Sequence, residues 1–283
     1  MARYDRSTLL LATIAVLIFY IFYIHLSERP GPVAQSSLKN GGKASAGSSQ
    51  RNPSPRIVII TMNTQETTYD ILSLSNKFSY ANKHGYDIQV DYEGSGPWHK
   101  LDMIENAINK QRYDWIWWMD FDTLITNKTI QIADIIEETL EKHPNPNSVS
   151  MMLTADCWPM NTGSMIYRGD PQILEFLDLI RKCGKANPER SEQDCIRDVV
   201  GVNDDPQQHP AGAAVSKKWA QRFTYVPQYK INAFPKEIDC YDKESRAWVR
   251  GDFVIHFAGA WAYLHMDDPT GFLMRKYKGE IID

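Results

Sequence analysis

Trp115-Ile116-Trp117-Trp118-Met119, followed at once by Asp120-Phe121-Asp122, is the stretch on which the reading of this chain turns. The run is apolar throughout and stands between helical patterns. Leu101, Ile104 and Ile108 recur at helical spacing before it, which predicts an amphipathic helix over about 100–112. Residues 130–143 read as a helix after it. A continuous apolar run in such a setting marks a central strand covered on both faces.

Further out the same alternation continues. Arg56 to Met62 is a β-branched run after a Pro-rich linker and reads as a first buried strand. Residues 69–84 suit a helix with Gly85 as its stop, and 86–92 a second strand. Strands are expected at 149–153, 164–167 and 252–257, and helices at 171–182 and 191–200. Strands alternating with helices predict an α/β domain around a mostly parallel sheet. Ligands of such sheets gather at the carboxyl ends of the strands, where Asp120-Phe121-Asp122 stands.

Two carboxylates at i and i+2 point to one side of an extended chain and can reach one cation. Leaving them beside a hydrophobic strand is costly unless a cation compensates. The bland reading is a solvated turn. Three functional readings compete: a divalent-ion site for a nucleotide-sugar diphosphate, a phosphohydrolase pair, and the cation site of a membrane-anchored glycan-binding module. Asp120-Phe121-Asp122-Thr123 resembles the haloacid dehalogenase signature, with Asp120 as nucleophile. That signature belongs on an opening strand with a late pair of acids, and neither condition is met, since Gly251-Asp252 is followed by Phe253-Val254-Ile255-His256.

Composition narrows the class. The 283 residues are 43% hydrophobic and 23% charged, enough for a full core, and the net charge of −4 gives no basic face for a nucleic-acid polymer. Leu9 to Leu26 is an apolar run without Asp, Glu, Lys or Arg, with His25 near its end. As a helix it spans about 27 Å, close to an early secretory bilayer. Arg3 and Arg6 favour a cytosolic N-terminus, and the run lacks a signal-peptide cleavage site. The organisation expected is a cytosolic tail (1–8), a transmembrane signal anchor (9–26), a flexible Ser/Gly/Pro-rich stem (27–55) and a luminal domain (56–283). Such a compartment permits disulfides among Cys157, Cys183, Cys195 and Cys240, with three connectivities open. Asn127-Lys128-Thr129 is a glycosylation sequon. Trp158, Trp248, Trp261 and Tyr263 could stack on sugars, but core packing is the expectation for each. Oligomerisation is left open.

Around the triplet a family resemblance becomes specific. The segment from Asp114 to Asn127 is similar to the metal-binding segment of glycosyltransferase family 34. That family holds fungal α-1,2-galactosyltransferases, α-1,6-mannosyltransferases and plant xyloglucan xylosyltransferases. Trp98-His-Lys-Leu101, Asn161-Thr-Gly-Ser164 and His256-Phe-Ala-Gly259 resemble three further family segments in the same order. The resemblance implies a GT-A-type nucleotide-sugar-binding fold, Mn²⁺ as cofactor and retention of anomeric configuration. It implies Asp120, Asp122 and His256 as metal ligands, with Lys100, Phe121, Asn161, Thr162, Gly163 and Ser164 at the donor. Without it, His256 reads as a core histidine, Lys100 as a helix-start lysine and Asn161–Ser164 as a turn. Ser191-Glu192-Gln193-Asp194 resembles the acidic-Gln segment facing the reacting sugar, with Ser191 in place of the first acid. The same four residues read as a helix N-cap. Glu192 and Gln193 are the catalytic candidates, stabilising an oxocarbenium-like state by charge and dipole. The resemblance points to a Golgi type II enzyme moving galactose from UDP-galactose onto mannose-containing glycans. An α-1,6-mannosyltransferase using GDP-mannose is the alternative.

Overall fold

The computed structural model describes residues 54–92, 96–202 and 216–283. The expected tail, the anchor over 9–26 and all but the end of the stem lie outside them. Among the described residues no helix is long and apolar enough to cross a membrane.

The chain opens with β1 (Ile57–Met62), α1 (Asp70–His84), β2 (Asp87–Asp91), α2 (His99–Asn109) and β3 (Trp115–Met119). Next come β4 (Thr123–Ile125), α3 (Ile132–Lys142), β5 (Met151–Thr154) and β6 (Asn161–Arg168). Helices α4 (Ile173–Ala186) and α5 (Glu192–Val200) precede β7 (Phe223–Tyr225) and the short α6 (Gln228–Ile231). Strand β8 (Val254–His256), α7 (Ala260–Tyr263) and α8 (Pro269–Tyr277) close the domain.

Six strands form one sheet in the order β2-β1-β3-β6-β5-β7. Its pairings are parallel except those of β6 with β3 and β5. The sheet is therefore mixed but mostly parallel, with β6 running against its neighbours. The cause is the link from β5 to β6, which is too short for the crossover of a dozen or more residues that parallel neighbours need. A second sheet pairs β4 with β8 antiparallel.

Side chains of the central strands alternate between two layers, as pleating requires. Val58, Ile60, Ile116 and Trp118 pack against Leu101 of α2, Phe176 of α4 and Ile196 of α5. Ile57, Ile59, Trp115 and Trp117 pack on the other face against Tyr80 of α1 and Ile132 of α3. A third cluster, including Leu124, Ile255, Phe257 and Trp248, lies with the small sheet and α8.

The four cysteines pair as Cys157–Cys240 and Cys183–Cys195, which selects one of the three connectivities. Ser191 caps α5 in a reciprocal box with Asp194, as its sequence predicts. Two expectations are corrected. Asn161-Thr162-Gly163-Ser164 is the first half of β6, not a turn, because Ser164 pairs with Met119 and Asn161 with Thr154. Core packing holds for Trp248, but Trp158, Trp261 and Tyr263 are exposed.

Candidate active site

The site is assembled where β3 ends. The Asp120 amide donates to the Gly163 carbonyl at 2.7 Å, extending the β3–β6 ladder by one bond. The chain then turns through Phe121 and Asp122 into β4, whose register sets Thr123 opposite His256. The Phe257 amide donates to the Asp122 carbonyl at 3.0 Å. A turn and a small antiparallel sheet thus bring the acids and the histidine together. Alternation along an extended chain, the expected device, does not operate here.

The ligand atoms of Asp120, Asp122 and His256 lie within 4.8 Å of one another. His256 Nε2 is 3.2 Å from Asp122 Oδ1 and 4.0 Å from Asp120 Oδ2. Behind the ring, Asn232 donates its amide to Thr154 Oγ1 at 2.8 Å and Asn161 Oδ1 at 2.9 Å. Its own Oδ1 therefore faces His256 Nδ1, 2.8 Å away, and accepts the ring proton there. With Nδ1 so engaged, Nε2 is the ring nitrogen left facing the carboxylates. Asp120 Oδ1 accepts from Trp118 Nε1 at 2.7 Å, which leaves Oδ2 for the His256 side. Burial lowers the His256 pKa, but Asp122 and then Asp120 hold it above the ordinary imidazole value. Burial likewise raises Asp122, and His256 outweighs this to hold it below the usual carboxylate range. Two carboxylate oxygens and an oriented imidazole are a donor set that fits Mn²⁺.

Gly163 belongs to this support. A Cβ on it would come 2.0 Å from His256 Cε1, so the imidazole ring occupies the space a side chain would take.

Beneath the turn lies a fully buried ammonium that sequence reasoning missed. Lys77 of α1 donates to the Thr123 carbonyl at 2.8 Å, the Phe121 carbonyl at 3.3 Å and Ser73 Oγ at 2.8 Å. Ser73 donates to the same Phe121 carbonyl at 2.5 Å. Burial lowers the Lys77 pKa to about 7, against the pull of Asp122 and Asp120. The carbonyls on both sides of Asp122 are thereby fixed from below. Asn232 was missed as well. Neither has a local signal: Lys77 reads as one more lysine of a polar helix, and Asn232 as a loop residue.

Lys100 is 3% exposed and pairs with Glu192 at 2.9 Å and Asp120 at 3.5 Å, above the Trp118 ring. Burial lowers its pKa, but Asp120 and Glu192 carry it above the ordinary lysine value. Gln193 Oε1 accepts from the Thr162 amide at 2.9 Å and from Thr162 Oγ1 at 3.1 Å. The helix N-terminus carrying the catalytic candidates is thus seated directly on β6.

Lys100, Asp120, Phe121, Asp122 and Glu192 share a cleft of about 260 Å³ with Asn63 and Tyr69. Asn161, Thr162, Gly163 and Ser164 do not line it. They stand behind the ligands: Ser164 Oγ accepts from Trp117 Nε1 at 3.0 Å, and Asn161 accepts from Asn232. Asn127 lies apart from the cleft, its amide donating to the Gly251 carbonyl at 2.9 Å.

Comparison with known proteins agrees with this geometry. Residues 53–266 match the galactosyl transferase GMA12/MNN10 family, family 34 of the glycosyltransferases. The "Probable alpha-1,2-galactosyltransferase gmh2" of Schizosaccharomyces pombe is 27% identical over 77% of this chain and 70% of its own length. The "Probable xyloglucan 6-xylosyltransferase 3" of Arabidopsis thaliana is 27% identical over 68% of this chain and 46% of its own. The "Probable alpha-1,6-mannosyltransferase MNN10" of Saccharomyces cerevisiae is 24% identical over 74% and 62%. The chain spans less than two thirds of the latter two relatives. A solved glycosyltransferase involved in the glycosylation of the major capsid of PBCV-1 has the same fold. Its TM-score is 0.56 at 17% identity, over 78% of this chain and 100% of that one. The phosphohydrolase and the non-catalytic binding module fall away. The chain belongs to the galactosyl transferase GMA12/MNN10 family and is a glycosyltransferase, acting between a nucleotide-sugar donor and a glycan acceptor.

Proposed function

We propose that the protein is a retaining, Mn²⁺-dependent α-galactosyltransferase that uses UDP-galactose and extends mannose-containing glycans. The observation that carries the metal dependence is that Asp120 and Asp122, which line a cleft with Lys100 and Glu192, meet the buried His256 with their ligand atoms within 4.8 Å of one another. The choice of galactose is supported by the Schizosaccharomyces pombe relative. Transfer of mannose from GDP-mannose is the second reading, favoured by the likeness to the Saccharomyces cerevisiae relative.

A divalent ion held by Asp120, Asp122 and His256 would neutralise charge on the donor diphosphate. The protein groups divide the remaining work. Glu192 is paired with Lys100, which makes it a poor free nucleophile but leaves a carboxylate to favour positive charge developing on the sugar. Gln193 commits its carbonyl oxygen to Thr162, so its amide hydrogens suit a sugar or phosphate oxygen rather than a cation. Charge stabilisation therefore rests on Glu192, and front-face displacement is the mechanism these placements favour.

Residues 9–26 anchor the protein in the Golgi membrane with the catalytic domain in the lumen. This reading is supported by the apolar run, by Arg3 and Arg6, and by pairing of all four cysteines. Asn127 is the glycosylation site proposed for that side of the membrane.

The test is the full-length chain in detergent, with Mn²⁺, a mannose oligosaccharide and a panel of nucleotide sugars. UDP-galactose should be consumed and the new anomeric proton should report an α-linkage by NMR. Asp122→Asn should abolish transfer while the circular dichroism spectrum is retained, and EDTA should do so reversibly. An inverted product, or full activity in EDTA, would overturn the reading.

A further inference from the structure

A second cleft, of about 580 Å³, shares no lining residue with the one at the metal ligands. Hydrogen bonds join the two regions. His256 bonds Asn232, Asn232 bonds Asn161, and Asn161 donates to Asp156 Oδ2 at 3.1 Å. Asp156 is 7% exposed and lines the second cleft. Beside it stand Trp158, 61% exposed, and Tyr225, 42% exposed.

These aromatics are held in place from several directions. The Trp158 amide donates to Asp156 Oδ1 at 2.7 Å, and the Asp156 amide donates back to the Trp158 carbonyl at 3.0 Å. Tyr225 donates its hydroxyl to the Pro159 carbonyl at 2.8 Å. Cys157–Cys240 ties this loop to the segment bearing Asp242. The side-chain Oε1 of buried Gln228 accepts from the Asp242 backbone amide at 2.9 Å, and the Gln228 backbone N–H donates to Asp242 Oδ2 at 3.1 Å. Large aromatic surface left in water on so well-braced a loop has no role in the core.

We propose that this cleft binds the acceptor, and that its occupant is a neutral, hydroxyl-rich saccharide. The proposal rests on the glycosyltransferase reading of the neighbouring site. Trp158 offers a flat face to the C–H side of a sugar ring. Asp156, Asp242 and Glu244 supply carboxylate oxygens for sugar hydroxyls, each oxygen having more than one lone pair to share. Three carboxylates against Lys243 disfavour an acceptor carrying phosphate or carboxylate. The volume falls within the range of small-ligand sites, and the Asp156–Asn161–Asn232–His256 hydrogen bonds connect the cleft's lining to the histidine of the first site.

The test uses the full-length chain in detergent and a linear α-linked mannotetraose, with its phosphorylated counterpart as second probe. Saturation-transfer NMR should show the neutral saccharide bound and the phosphorylated one weak. Trp158→Ala should raise the saccharide Kd and the acceptor KM about tenfold, while Trp158→Phe retains most binding. Trp261→Ala, at an exposed tryptophan outside this cleft, is the control. No saccharide signal, equal binding of both probes, or an effect of Trp261→Ala with none of Trp158→Ala would overturn the proposal. The two readings fail separately. Binding that depends on Trp158 without transfer from any nucleotide sugar leaves the cleft and removes the proposed reaction. Transfer with an unchanged acceptor KM in Trp158→Ala does the reverse.

Discussion

Strand β3 and the first half of helix α1 both bury residues, with opposite chemistry, the helix adding apolar Tyr80 and Ala81 to the core only further along. Every residue of Trp115–Met119 is buried. In α1 the apolar Ile71 and Phe78 are 84% and 48% exposed, while Ser73, Asn76 and Lys77 are buried. The strand obeys hydrophobic burial. The helix obeys the requirement that buried polar backbone find partners. Asn76 donates to the Ile125 carbonyl at 2.9 Å and accepts from the Ile125 amide at 2.7 Å, standing in for a strand along β4. Ser73 and Lys77 do the same for the turn bearing Asp120 and Asp122. Where a helix buries its polar side, it is serving a neighbour that cannot satisfy itself.

The comparison breaks most visibly at Trp117, which is fully buried and stacked on Phe253. Trp117→Ala should cost about 3–5 kcal/mol of unfolding free energy, read by urea denaturation. A loss under about 1 kcal/mol would mean that burial of β3 is not what holds the sheet. Lys77→Met should act differently, weakening Mn²⁺ activation by about 10–100-fold through misplacement of the ligands. If it instead matches Trp117→Ala in stability and leaves the Mn²⁺ titration unchanged, α1 is ordinary core.

Gly163→Ala sharpens the contrast inside β6 itself. The new methyl must push the buried His256 ring, so Mn²⁺ activation should weaken by about tenfold, together with a loss of about 1–3 kcal/mol of stability from overpacking. A variant with wild-type Mn²⁺ dependence would show that the ring has room to move. The smallest effect belongs to an edge contact away from the turn. His99 Nε2 pairs with Asp91 at 2.6 Å, and that hydrogen bond raises its pKa above the ordinary value. The raised folded value means that the stabilisation is full below about pH 6.5 and is lost as pH rises through the folded pKa. It amounts to no more than about 1 kcal/mol. His99→Gln should remove that slope from stability measured across pH 5.5–8, and an unchanged slope would assign it elsewhere.

What the sequence made legible follows the same division. Continuous apolar runs and helical periodicity located β1, β3, α2 and α3 within a few residues, because solvent exclusion writes itself into local pattern, whereas α1 was legible through its stop at Gly85. Asp120 and Asp122 stood out as a carboxylate pair ending the apolar strand, His256 came through family likeness, and their meeting is a product of the β4–β8 register. That register was not legible, since Thr123–Ile125 and Val254–His256 are three-residue strands. Strand β7 was missed for the same shortness. Asn161–Ser164 read as a turn because Asn and Gly favour turns in isolation, whereas ladder bonds on both sides hold it extended. Lys77 was invisible because its partners are backbone carbonyls, which no side-chain pattern records.

The β4–β8 pairing also has a meaning in time. His256 leaves the ribosome about 134 residues after Asp122, an interval of roughly 7–27 s at ordinary elongation rates. During it the two carboxylates exist without their imidazole. Lys77 is already made, and α1 can bring its ammonium under the nascent turn before β8 arrives. A chain stopped short of β8 could build much of the large sheet yet lack the third ligand, so metal capture would report that synthesis of the domain had passed β8.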